Sequence, residues 1–241
     1  MVSAKDFKPY KKTSDISYTI GVFPTIELIN QKPNEVVAVL YSDAAQAGDG
    51  FTLVKKITDN NNLRMIKTKR VQSLTKNDSS YVVGVFKKYR MELSTSEPHI
   101  VLVEPDDMGN IGTIVRSMAG FGYRNLAIVG KSADFWHPKS IRACMGSIFR
   151  CNIRTYPTIQ DYQSVFPKHR LYAFMLHDAK SLSDAEFHGL HSLVFGNEGA
   201  GLPHKYSEIS QPIYIEQSNN IDSLNLSVAA SVAMHWAYSK R

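Results

Sequence analysis

HIVLVEPDDMGNIGTIVRSMAGFGYRNLAIV, residues 99–129, spells a strand, a helix and a second strand in succession. The run His99–Val103 is continuously apolar after its first residue, as expected of a strand buried on both faces. Ile111, Ile114, Val115 and Met118 then recur at i, i+3, i+4 and i+7, the spacing of one helical stripe, and Gly120 and Gly122 end it before Leu126–Val129. Further apolar runs follow at Leu171–Met175, Leu193–Phe195 and Pro212–Ile215, with helical stretches between most of them. This alternation predicts an α/β fold: a mostly parallel sheet with helices on both faces. Such sheets bind ligands at the carboxyl ends of their strands.

Upstream, shorter elements alternate: a helix near Pro24–Ile29, a strand Val36–Tyr41, a helix around Phe51–Thr58, and strands near Met65–Thr68 and Tyr81–Phe86. They predict a small α/β/α domain over residues 1–92. The polar stretch Met91–Pro98 suits a linker, placed at 93–98, and a second domain fills 99–241. Charge divides at the same place. Residues 1–95 hold 15 Lys/Arg against 9 Asp/Glu, whereas residues 96–241 hold 13 of each, so the net charge of +6 lies entirely in the first part. Lys55, Lys56, Lys67, Lys69, Arg70, Lys87, Lys88 and Arg90 are its candidate polyanion contacts. Charge alone is equally compatible with a solvated face.

With 43% hydrophobic and 21% charged residues among 241, the composition is that of a globular chain with a sizeable core. The start, MVSAKDFKPYKK, lacks the apolar core of a signal peptide, and no apolar run approaches the roughly 18 residues of a membrane span. A cytoplasmic location without membrane contact is expected. Cys144 and Cys151 have no metal-ligand spacing and read as packing residues, so no metal is implied. No window fits G-x-G-x-x-G or G-x-x-x-x-G-K-[ST], which removes support from nicotinamide and ATP.

Three segments carry the chemistry: NIGTIVR (Asn110–Arg116), GNEGAG (Gly196–Gly201) and SLNLSVA (Ser223–Ala229). Arg116 lies off the apolar helix stripe, one turn from Gly112 and two from Gly109, on a face with little side-chain bulk. GNEGAG follows the strand SLVF and sets one acid, Glu198, among glycines that let a ligand lie against the backbone. In the third segment Ser223 is the expected N-cap, Asn225 and Ser227 fall in the first turn, and Leu224, Val228, Ser231, Val232 and His235 share the expected core face.

In this order and at these distances the segments resemble the SpoU/TrmH branch of the SPOUT RNA ribose 2′-O-methyltransferases, over about residues 98–241. Pro138–Phe149 also looks like a stretch that family carries between its first two motifs. The resemblance implies a C-terminal deep trefoil knot, S-adenosylmethionine as cofactor, and a homodimer formed through the knot domain. It implies catalytic roles for Asn110, Arg116, Glu198, Ser223 and Asn225, and a cofactor site lined by Phe195, Gly196, Asn197, Glu198, Gly199, Gly201, Ile213, Ile215, Leu224 and Asn225. The basic first part resembles the ribosomal-protein-like RNA-binding domain of many members. The chain departs from the family at Asp107, where Asn is frequent, at Tyr214, where Pro is favoured, and in a longer Ile213–Ser223 stretch. The implied substrate is ribosomal or transfer RNA and not DNA, which has no 2′-hydroxyl. The competing reading is a non-catalytic RNA-binding or ribosome-assembly protein on the same fold.

Overall fold

The computed structural model describes residues 3–75, 81–176 and 178–240. They form two compact units, one of residues 1–90 with 134–150, the other of 91–133 with 151–241. The first contains β1 (Ile16–Tyr18), α1 (Val22–Gln31), β2 (Val36–Tyr41), α2 (Asp49–Asn60), β3 (Met65–Lys67), α3 (Val71–Thr75) and β4 (Val82–Lys87). The remaining elements are β5 (His99–Val103), α4 (Met108–Gly120), β6 (Asn125–Val129), α5 (Pro138–Ala143), β7 (Asn152–Tyr156), α6 (Ile159–Val165), β8 (Arg170–Phe174), β9 (Lys180–Ser181), β10 (His191–Phe195), α7 (Lys205–Ile209), β11 (Gln211–Tyr214) and α8 (Leu226–Ser239). All but α5 belong to the second unit.

The strands of the first unit run in the order β1-β4-β2-β3, antiparallel except for the β2–β3 pair. Alternation along β2 decides its layers. Ala38 and Leu40 pack with Val71 and Leu74 of α3, while Val39 packs with Ile29 of α1 and Val54 of α2. The result is an α/β/α sandwich, with β1 and α3 added to the elements legible in the sequence. Residues 134–150 join this unit rather than the one that flanks them: Trp136 and Phe149 pack their rings on Phe86, and Arg150 pairs with Glu27 at 2.6 Å. Cys144 and Cys151 are free and buried, and burial pushes the Cys144 thiol up to about 11.

The seven strands of the second unit lie in the order β7-β6-β5-β10-β8-β11-β9, every pair parallel. Val101, Val103, Ala127, Val129, Ala173 and Val194 face α6 through Ile159 and Tyr162. Their alternates Ile100, Leu102, Leu126, Ile128, Tyr172 and Leu193 are buried too, so both faces are covered. β7 has no apolar run to read because NIRTY, at the edge of the sheet, is mostly polar, and β9 is two residues long. The expected linker is docked rather than free. Leu93 is in the core, the Ser94 N–H donates to Asn125 Oδ1 at 2.9 Å, and Asn125 Nδ2 donates to Glu97 at 2.8 Å.

At the amino ends of these strands His99, Tyr162, Ser192 and His169 form a buried chain whose proton order is fixed from one end. His99 Nε2 faces the Ser94 carbonyl at 2.7 Å and must donate, so its Nδ1 accepts from Tyr162. Tyr162 then accepts from Ser192, which accepts from His169 Nδ1. Burial, reinforced by the neighbouring His169, pushes the fully buried His99 down from the usual 6.5 to about 4, which keeps this order neutral. The unfolded chain therefore takes up protons below pH 6.5 that the folded one refuses. Stability should be complete above that value and fall by about 3 kcal/mol as pH drops towards 4. Urea unfolding across that range tests this, and in His99→Asn the dependence should flatten.

Candidate active site

Two strand ends, those of β5 and β10, and two helix starts, those of α4 and α8, converge beside a cavity. At the end of β5, Glu104 adopts a left-handed φ of 51°, a turn that aims its carbonyl at Asn197. Asp107 caps α4 by accepting the Asn110 N–H at 2.8 Å, so the acid found where the family often has Asn serves as an N-cap beside the positive end of the helix. Arg116 stands on the same helix, exposed and off the buried stripe, with no hydrogen bond or ion pair among the described residues.

After β10 the glycine segment folds back on itself. Asn197 and Gly201 exchange N–H···O bonds of 3.2 and 2.9 Å, and Gly201 takes a left-handed φ of 66°. Asn197 organises this loop with both ends of its amide. Its Nδ2 donates to the Glu104 carbonyl and to Asp106, and its Oδ1 accepts from the Gly199 and Ala200 N–H groups. At Gly196 a Cβ would stand 2.1 Å from the Gly201 carbonyl carbon, which no side chain can tolerate.

Glu198 leaves the loop and ties the segments together. Its carboxylate accepts from the Asp106 and Asp107 N–H groups at 3.1 and 3.2 Å and from Asn110 Nδ2 at 3.1 Å. Burial pushes its carboxyl up, but the hydrogen bonds from Asn110 and the backbone outweigh that and hold it below the usual range. An anion so stabilised is a poor proton acceptor and a good anchor. Asn110 Oδ1 accepts in turn from Asn225 Nδ2 at 3.2 Å, and Asn225 Oδ1 accepts from the Ser227 N–H and hydroxyl. One hydrogen-bonded line, Glu198–Asn110–Asn225–Ser227, thus joins all three segments.

That line corrects the start of the last helix. Asn225, not Ser223, is the N-cap of α8, because its side chain takes the Ser227 N–H while Ser223 lies outside the helix. The buried face is also different from the one expected. Leu226, Ala230, Ala233, Met234 and Ala237 face inward, where small residues let α8 approach α4 and β10. Val228, Val232 and His235 are exposed. Hydrophobicity alone favoured the larger residues, whereas close helix packing favours alanine.

A cavity of about 520 Å³ opens beside this line, within the usual range for small-ligand sites. It is lined by Phe195, Gly196, Asn197, Glu198, Gly199, Gly201, Ile213, Ile215 and Leu224, and by Ser223. Asn225 stands outside the lining, on the Asn110 side. Phe174, Met175, Leu176, Leu202 and His204, which lie outside the three segments, also line it, as does Ala229 at the end of the third. Phe174 stacks on Phe195 with centroids 4.4 Å apart, and its place at the end of β8 was the signal available for it.

The basic candidates of the first unit separate into two groups. Arg70 donates to the Ala4 and Phe7 carbonyls, Lys88 donates to the Lys12 carbonyl, and Lys67 pairs with Asp43. Lys55, Lys56, Lys69, Lys87 and Arg90 are exposed. Among the described residues no helix is long and apolar enough to cross a membrane.

Residues 97–235 match the SpoU rRNA Methylase family. The chain is 31% identical over 140 residues to Ribosomal RNA small subunit methyltransferase G 2 of Syntrophobacter fumaroxidans, covering 58% of this chain and 27% of that one. It is 27% identical over 150 residues to a 23S rRNA (uridine(2479)-2′-O)-methyltransferase of Streptomyces viridochromogenes, covering 59% and 52%. It thus spans about half or less of the length of these relatives. The SpoU methyltransferase AviRb of Streptomyces viridochromogenes, solved in complex with AdoMet, superposes with a TM-score of 0.80 over 94% of this chain and 91% of that one, at 21% identity, which establishes a shared fold.

Proposed function

The chain belongs to the SpoU rRNA Methylase family, and from that premise we propose that it methylates the 2′-hydroxyl of a ribose in ribosomal or transfer RNA. The observation that carries this reading is the line Glu198–Asn110–Asn225–Ser227, which holds the three segments together at the rim of one cavity. S-adenosylmethionine, the cofactor of this reading, supplies a strongly electrophilic methyl group. The cavity suits it in size, in apolar walls such as Phe195 and Ile213, and in the backbone of the glycine loop.

The chain's own residues then have two tasks, to align a weak nucleophile and to tolerate its developing charge. Asn110 and Asn225 fix the geometry, Ser223 stands at the cavity wall where a ribose could be oriented, and Glu198 anchors the loop. Arg116 binds the substrate phosphate and stabilises the incipient alkoxide. Its guanidinium stays charged at any working pH, so the proton passes to another acceptor. The exposed basic residues of the first unit capture RNA through its phosphates, in the cytoplasm.

The reading includes the trefoil knot, which the crossing of β8, β10 and β11 in a single parallel sheet favours, and a homodimer. Val228, Val232 and Tyr238 are exposed on α8, beside the Ser117–Ser231 bond that ties it to α4. Val232→Glu should convert the dimer to monomer in light scattering. A wild-type chain that is already monomeric would remove the dimer from this account. The function itself is tested by supplying S-adenosylmethionine with separated ribosomal and transfer RNAs. Methyl incorporation into one of them is expected, and cofactor binding without incorporation into either would favour the non-catalytic reading.

A further inference from the structure

The charged side chains that line the cavity are all of one sign. Asp178, Glu198 and Asp222 are among its walls, and no lysine or arginine is. The charge of Glu198 is taken up by Asn110 and the Asp106 and Asp107 N–H groups. The carboxylates of Asp178 and Asp222 have no such partner among the described residues: the one bond at Asp222 is to its main-chain carbonyl, from Gln217. Asp178 is moreover held at φ 52°, a left-handed conformation that few residues other than Gly, Asn and Asp adopt readily. The surrounding walls, Phe174 and Phe195 included, are largely apolar and offer no counter-charge, while both carboxylates are exposed, so solvent screens them and their effect on a bound charge is modest.

We infer that Asp178 and Asp222 are specificity-determining residues that make the cavity prefer the positively charged cofactor to its uncharged product. This rests on the S-adenosylmethionine reading above. That cofactor carries an ammonium, a carboxylate and a sulfonium, a net charge of plus one. In the transfer the S–CH₃ bond breaks with its electron pair left on sulfur, an O–CH₃ bond forms, and the hydroxyl proton departs to solvent. The positive charge leaves as that proton, and S-adenosylhomocysteine remains as a neutral zwitterion. The two aspartates then attract the ligand before transfer more strongly than after it, which favours product release. Both ligands share the ammonium and the carboxylate, so the ratio of their affinities isolates the sulfonium.

Calorimetric titration of the full chain with S-adenosylmethionine, S-adenosylhomocysteine and sinefungin, whose amine replaces the methylsulfonium, tests the inference. Asp178→Asn keeps shape and tolerates the left-handed backbone. It and Asp222→Asn should each weaken binding of the two cationic ligands roughly fivefold and leave the neutral product within about twofold. Asp222→Glu, which keeps the charge at a position free of that backbone constraint, should retain most of the preference. An unchanged affinity ratio in both Asn variants overturns the inference while the cofactor reading stands, and so does an equal loss for all three ligands. A wild-type chain that binds none of them overturns both.

Discussion

Gly196→Ala should abolish cofactor binding. The added Cβ would lie 2.1 Å from the Gly201 carbonyl carbon and 2.4 Å from the Leu202 nitrogen, and both are main-chain atoms that cannot swing aside. The loop can admit the methyl only by breaking the Asn197–Gly201 pair, which also frees Glu198 from its donors at the start of α4. Cofactor affinity should fall by at least about a hundredfold, the equivalent of about 3 kcal/mol, as expected for forced overpacking. Unfolding should be affected less, because the core strands β5 and β10 lie outside the loop. Gly199→Ala controls for the fold of the loop alone and should leave thermal stability near wild type, since its Cβ would meet only Asn197 Oδ1 at 3.6 Å. Equal affinity in wild type and Gly196→Ala, measured by calorimetry, would mean that the glycine loop does not shape the site.

Arg116→Ala should lower turnover by about 10² to 10³ while leaving cofactor affinity near its wild-type value, the range found when a preorganised donor to developing negative charge is removed. The separation follows from placement: Arg116 is exposed on α4 and lies outside the cavity lining. It also lacks an internal partner among the described residues, so its removal should cost little stability. Arg116→Lys distinguishes charge from shape, because lysine keeps the charge but loses the planar fork that grips a phosphate with paired donors. Near-full turnover in the lysine variant would contradict a guanidinium-specific role.

The sequence revealed the sheet because strands buried on both faces are written as unbroken apolar runs, as in Ile100–Val103 and Leu193–Phe195, and their faces are covered without further signal. It revealed α4 because Ile111, Ile114, Val115 and Met118 face a core on one side only. It was misleading for α8, where the buried face is built of alanines and the valines point outward. A helix carrying apolar residues on two faces has no single periodicity to read. The site was legible in its glycines and polar residues. What pairing they make was not, because the Glu198–Asn110 bond joins residues 88 positions apart in the chain. The charge changes near residue 95 whereas the compact units divide after residue 90, and the association of residues 134–150 with the first unit depends on Trp136 and Phe149 meeting Phe86, which no local pattern announces.

Transfer of a methyl group to a ribose oxygen is settled by the chemical form of the product. RNA isolated from cells lacking this chain is incubated with the protein and methyl-labelled S-adenosylmethionine, digested to nucleosides and separated by mass spectrometry. The added mass should stay with the sugar fragment of one nucleoside and disappear in the Arg116→Ala reaction. Label carried on the base would contradict ribose methylation.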